Sequence, residues 1–73
     1  RQSRGRLDAV VETDGQVYVM EFKVDKPARE AIAQIRGKGY ADSFKADGRK
    51  VLLVGVSFSS AQKGVGEMEV EAL

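Results

Sequence analysis

The stretch Leu7-Asp8-Ala9-Val10-Val11-Glu12-Thr13-Asp14-Gly15-Gln16-Val17-Tyr18-Val19-Met20-Glu21-Phe22-Lys23-Val24 decides how the chain folds. Its two arms, Leu7 to Glu12 and Gln16 to Val24, are rich in valine, tyrosine, phenylalanine and methionine, which suit a pleated, half-buried surface. Between them stands Asp14-Gly15, a dipeptide suited to a two-residue type I′ turn because both central residues need positive φ. The arms therefore read as antiparallel strands. With that loop Thr13 faces Gln16, and counting outward pairs Glu12 with Val17, Val10 with Val19 and Asp8 with Glu21. Directly opposed residues share a face. The period of two adds Arg6 and Lys23 to that face, while Leu7, Ala9, Val11, Tyr18, Met20 and Phe22 fill the other.

Opposed carboxylates at about 5 Å repel by roughly 3 kcal/mol at an effective dielectric of about 20. A cation between Asp8 and Glu21 removes that cost. Two carboxylates with open positions suit Mg²⁺, which takes oxygen ligands and keeps several waters, and a main-chain carbonyl can supply a third ligand. Lys23, two residues past Glu21, then lies toward the attacking water or the scissile phosphate, where an ammonium can orient a nucleophile or stabilise developing charge. The same residues also suit a plainer role: edge hairpins carry exposed Asp, Glu and Lys, and Lys23 can neutralise Glu21 in a surface ion pair. Spacing alone leaves both readings open.

Beyond the hairpin, Asp25-Lys26-Pro27 reads as a helix start, with Asp25 or Lys26 as the cap and proline in the first turn. Ala28, Ala31, Ile32 and Ile35 then recur at the spacing of one buried face, and Gly37 and Gly39 offer stops. Glu30, Gln34 and Lys38 form a row on the helix flank. Tyr40 and Phe44, one turn apart, read as packing residues of a short helix ending near Asp47-Gly48. Val51 to Phe58 is almost continuously apolar, as in a central strand. Glu67 to Ala72 alternates as an edge strand, with its glutamates expected on a solvated face. Gly64-Val65-Gly66 is no phosphate loop, since it neither directly follows a strand nor opens a helix.

A helix joining the second and third strands makes them parallel neighbours through a right-handed crossover. The carboxyl ends of these strands, the helix start and the serines after Val56 then gather at one edge, where ligands of open α/β sheets bind. Arg4, Arg6, Lys26, Arg29 and Lys63 cluster toward that edge, whereas Arg49 and Lys50 fall at the opposite end. This gives a local basic rim in a chain whose formal net charge is only +1.

Composition removes several chemistries. The chain has no cysteine and no histidine, which excludes disulfides, thiolate or imidazole metal ligands and histidine-based catalysis. No apolar run approaches the roughly 18 residues of a membrane span and no signal-like segment opens the chain, so a cytoplasmic protein with no membrane partner is expected. The 73 residues allow one domain, whose core supplies about 3–5 kcal/mol.

The runs Gly5-Arg6-Leu7-Asp8-Ala9-Val10-Val11, Val19-Met20-Glu21-Phe22-Lys23, Ala33-Gln34-Ile35 and Lys38-Gly39-Tyr40-Ala41, in that order, resemble the PD-(D/E)XK nuclease superfamily. More narrowly, they resemble the nuclease-like domain at the C-terminal end of prokaryotic proteins carrying an AAA-ATPase-like region. The similarity extends through Ala46-Asp47-Gly48-Arg49-Lys50-Val51 and Val54-Gly55-Val56. It implies a restriction-endonuclease-like α/β core over residues 1–73: a mixed sheet with an antiparallel hairpin, a crossover helix, a parallel central strand and an edge strand. It also implies Asp8 and Glu21 as metal ligands with the Phe22 carbonyl, Lys23 as the catalytic lysine, and Gln34 as the polar helix residue that assists. Leu7 stands where many members have proline. The family's acidic residue on a helix before the first strand has no counterpart after Arg1, so the domain is expected to be incomplete at its N-terminus.

The expected function is thus Mg²⁺- or Mn²⁺-dependent phosphodiester hydrolysis of nucleic acid, with DNA favoured over RNA. The alternative is a catalytically degenerate nuclease-fold domain that binds nucleic acid or protein, or dimerises. One helix covers one face of the sheet. The face bearing Val10, Val17 and Val19 beside the carboxylates is expected to lack a cover, and self-association or exchange of an element between two copies to replace it.

Overall fold

The two arms of the hairpin form β1 (Ala9–Glu12) and β2 (Gln16–Val24), and the chain continues through α1 (Ala28–Lys38), a 3₁₀ helix (Tyr40–Asp47), β3 (Lys50–Ser59) and β4 (Gly64–Ala72). The computed structural model describes residues 9–73. The four strands make one sheet in the order β1-β2-β3-β4. Its two outer pairs are antiparallel and the central pair is parallel, as the crossover helix requires. This is the mixed α/β architecture expected from the sequence.

Glu12 lies opposite Val17 and Val10 opposite Val19, the register counted from the loop. The expected partnership of Asp8 with Glu21 lies outside the described residues. The turn itself differs from expectation, because neither Asp14 nor Gly15 has positive φ and type I′ geometry is therefore ruled out. Side-chain and long-range bonds fix it instead. The Thr13 hydroxyl accepts the Gln16 N–H at 3.0 Å and donates to the Gln16 carbonyl at 3.1 Å. The Gly15 carbonyl accepts the Lys50 N–H at 3.1 Å from the start of β3.

The helix face is the one that periodicity marked, with Ala28, Ala31, Ile32 and Ile35 buried. Gly39 ends α1 in the left-handed region, its N–H reaching the Ile35 and Arg36 carbonyls. Neither Asp25 nor Lys26 caps the start. Pro27 is the cap residue, without a side-chain bond. Asp25 has φ 57°, and its carboxylate accepts the Ser60 N–H at 2.9 Å and the Ser60 hydroxyl, which holds its pKa below the ordinary carboxylate value.

The helix takes its cap from β4, where Glu67 Oε1 accepts the Ala28 N–H at 2.6 Å. Further along, Glu71 pairs with Arg36 at 2.9 Å, and Arg36 also donates to the Ala72 carbonyl. Two of the glutamates expected on a solvated face therefore bind α1. The alternation put them on one side of the strand, and the helix lies on that side. Glu67→Ala is expected to lose about 1 kcal/mol of stability, which thermal melts would read as a drop of roughly 4–8 °C in a domain of this size. Glu67→Gln keeps an acceptor and should lose less.

The expected cover was assigned to the wrong face. Ile32 and Ile35 pack with Val17, Val19, Val51 and Leu53, with Val10, Tyr40 and Phe44 against them, so the face bearing Val17 and Val19 is the covered one. Both faces of the hairpin are apolar, and alternation alone could not say which of them meets the helix. Among the described residues no helix covers the opposite face. Met20 pairs with Val54 and Phe22 with Val56, while Met68 and Val70 flank them on β4. The Phe22 and Phe58 rings pack there with centroids 5.8 Å apart. Val24, Met68 and Val70 on this face are each more than half exposed.

Candidate active site

Strand alternation places Val17, Val19, Glu21 and Lys23 in one line beneath α1. The line runs from a dry core to its polar end: the two valines are fully buried, Glu21 is 4 % exposed, and Lys23 lies at the carboxyl end of β2. A buried carboxylate needs donors, and α1 supplies one. Gln34 Nε2 donates to Glu21 Oε2 at 2.7 Å, and Gln34 Oε1 accepts from Lys23 Nζ at 2.5 Å. Only one orientation of the amide satisfies both, because the carboxylate can only accept and the ammonium can only donate. Glu21 and Lys23 are thus coupled through Gln34 and do not form the direct ion pair that was the plainer reading.

What lets the helix come this close is Gly55. It lies beside Glu21 in the parallel register, and a Cβ there would stand 2.3 Å from the Ala28 carbonyl oxygen and 3.0 Å from Ile32 Cγ1. An interior strand glycine signals a close backbone approach, and the run Val54-Gly55-Val56 carries that signal. The next row holds Lys23, Ser57 and Glu67 across β2, β3 and β4. Ser57, one of the serines after Val56 expected at this edge, joins the site, and so does Glu67, which no motif marked.

Of the other expected residues, Phe22 sits between Glu21 and Lys23 on β2, with its ring on the open face against Phe58. Asp8, the second expected ligand, lies outside the described residues, as do Arg4 and Arg6. Among the described residues no three Asp or Glu side chains gather as a metal cage. Lys26 and Arg29 line the cleft at the start of α1. Arg49 stands at the far end of the sheet, tied to Glu12 at 3.0 Å and Asp47 at 2.7 Å. These contacts hold its pKa above the ordinary arginine value and that of Asp47 below the carboxylate one.

A carboxylate buried toward the end of a central strand, a lysine two residues on, and a helix glutamine joining them form a compact polar constellation beside the apolar face of α1. The family model of the PD-(D/E)XK nuclease superfamily matches residues 1–68. The chain belongs to this superfamily. Within this PD-(D/E)XK domain Glu21-Phe22-Lys23 lies on β2, with Glu21 and Lys23 on the face that the hairpin register gives them. It is also 44% identical over 73 residues to an uncharacterized protein of the vnfD 5′ region from Azotobacter chroococcum mcd 1, an alignment that covers 97% of the chain and 14% of that relative. No solved structure matches the chain. Among the described residues, no helix of this PD-(D/E)XK domain is long and apolar enough to cross a membrane.

Proposed function

We propose that the protein hydrolyses phosphodiester bonds of nucleic acid with the help of Mg²⁺ or Mn²⁺, with DNA as the preferred substrate. The observation that carries this reading is the Glu21–Gln34–Lys23 chain at the carboxyl end of β2 in a PD-(D/E)XK domain. The donor set suits such an ion: a buried carboxylate and a main-chain carbonyl are hard oxygen ligands, and the chain has no histidine or cysteine to favour a softer metal. Asp8, Glu21 and the Phe22 carbonyl would hold it, and the bound cation supplies positive charge against the phosphate oxygens.

The protein's own groups do the rest. Glu21 is oriented by the Gln34 amide, which also holds the Lys23 ammonium in place. Lys23 orients the attacking water and stabilises charge that develops on the phosphate. The α1 cover keeps bulk water from the inner side of Glu21, which strengthens each of these interactions. The test is divalent-dependent cleavage of single- and double-stranded DNA and RNA by the wild type, Glu21→Ala and Lys23→Ala, beside thermal melts with and without Mg²⁺. A parent protein inert on every substrate would defeat the proposal.

The open face of the sheet favours a second reading, that of an association module. Val24, Met68 and Val70 expose apolar surface on one continuous face, and contiguous patches of this kind mark protein contacts. Sedimentation of residues 1–73 alone at micromolar concentration is expected to show self-association, and Met68→Lys to weaken it. A stable monomer would remove this reading and leave the nuclease reading untouched.

A further inference from the structure

We propose that the cleft between the first turn of α1 and the carboxyl end of β3 binds a phosphate group of the nucleic acid, which displaces the Glu67 carboxylate from the helix N-terminus. The cleft has a volume of about 550 Å³ and is lined by Lys26, Arg29, Ser57, Gln62 and Glu67 among others. It adjoins the proposed catalytic end of β2, because Lys23, Ser57 and Glu67 share one row across the sheet.

Three observations point to an anion. First, α1 spans 11 residues, and its first-turn N–H groups have no intrahelical acceptor. Ala28 N–H is satisfied by the Glu67 carboxylate at 2.6 Å and Glu30 N–H by the Pro27 carbonyl, but Arg29 N–H meets no acceptor among the described residues. An anion already sits where the helix dipole favours one. Second, Ser57 is a hydroxyl side chain only 6 % exposed. It lines the cleft and makes no hydrogen bond among the described residues. Its Oγ is reached by solvent from the cleft, and a phosphate oxygen there would accept its proton. Third, the neighbouring charges suit the exchange. Asp25 lines the cleft but is engaged by Ser60, so once Glu67 turns away the lysine and arginine carry the balance. Glu67 then acts as an internal competitor: it keeps the first turn of α1 capped in the free protein and yields to a dianionic or bidentate phosphate that Ser57, Arg29 N–H and Ala28 N–H can bind together.

The inference rests on the nuclease reading for the identity of the ligand, so its test runs without divalent metal and without cleavage. Inorganic phosphate titrated into the ¹⁵N-labelled protein in the presence of a chelator is expected to shift the Ala28 and Arg29 amide resonances. Ser57→Ala should weaken that binding about three- to tenfold, and Glu67→Gln should strengthen it about threefold or more by removing the competing charge. Arg29→Ala, a change at an exposed position, should weaken it even if either of the other variants folds poorly. A short oligonucleotide with a 5′-hydroxyl that competes with phosphate at these amides assigns the site to a backbone diester. Competition only by the 5′-phosphorylated form assigns it to a strand end, and either result supports the proposal. Amides that do not respond to phosphate, or a response unchanged in all three variants, would overturn it. Loss of phosphate binding with cleavage intact defeats this inference alone, and phosphate binding without any cleavage defeats the nuclease reading alone.

Discussion

Gly55→Ala is expected to cost about 3 kcal/mol of stability, the upper part of the range for overpacking a filled core. The clash is with main chain: the new Cβ would lie 2.3 Å from the Ala28 carbonyl oxygen, and backbone cannot rotate away as a flexible side chain can. Either α1 lifts from the sheet or β3 shifts. A small domain with a total stability of about 3–5 kcal/mol cannot absorb much of this. A lifted helix also draws Gln34 away from Glu21 and Lys23. The thermal melt should therefore fall steeply, while Gly37→Ala serves as the control. Gly37 has open space at its Cβ and lies inside α1, where alanine should stabilise by about 0.5–1 kcal/mol. A Gly55→Ala protein that melts with the wild type would contradict the close packing of helix on sheet.

The other large effect is on chemistry. Glu21→Ala in the parent protein is expected to abolish divalent-dependent cleavage, and Lys23→Ala to lower it by about 10²–10³-fold, the size seen when one preorganised group of a charged transition state is removed. Their other properties should separate. Glu21→Ala loses the stabilisation of the melt by Mg²⁺, since a ligand that binds only the folded state raises its stability. Lys23→Ala keeps it. Both should stay within about 1 kcal/mol of the wild type in the absence of metal, the size of a side-chain hydrogen bond such as each makes with Gln34. If both variants were instead strongly destabilised and no substrate were cut, the constellation would be a structural brace.

The hairpin, the crossover, the strand order and the buried row of α1 could be read from the sequence because each rests on a local rule: alternation, a glycine stop, the spacing of Ala28, Ala31, Ile32 and Ile35. The placement of Glu21 and Lys23 on one face of β2 could be read for the same reason. Three features could not. The turn at Asp14-Gly15 is set by Thr13 and by Lys50, a residue far along the chain, which overrides the preference of the dipeptide. The face covered by α1 depends on how Ile32 and Ile35 seat against β2 and β3, and two apolar faces look alike in sequence. The Glu67 cap joins residues 39 positions apart, and no window of sequence holds both. Gly55 is different, because its place inside an apolar run was a usable signal.

The grip of β4 on α1 also sets an order of events in time. A chain made from its N-terminus completes β2, α1 and β3 before Glu67 and Glu71 exist, so the helix that carries Gln34 first forms with its leading amide unsatisfied and Arg36 without its partner. Contacts of such long sequence separation form late and slowly. The carboxyl end of β2 should thus reach its final geometry only when the last strand docks, and a nascent chain arrested before Glu67 should hold Glu21 and Lys23 in place beneath a helix that is still uncapped.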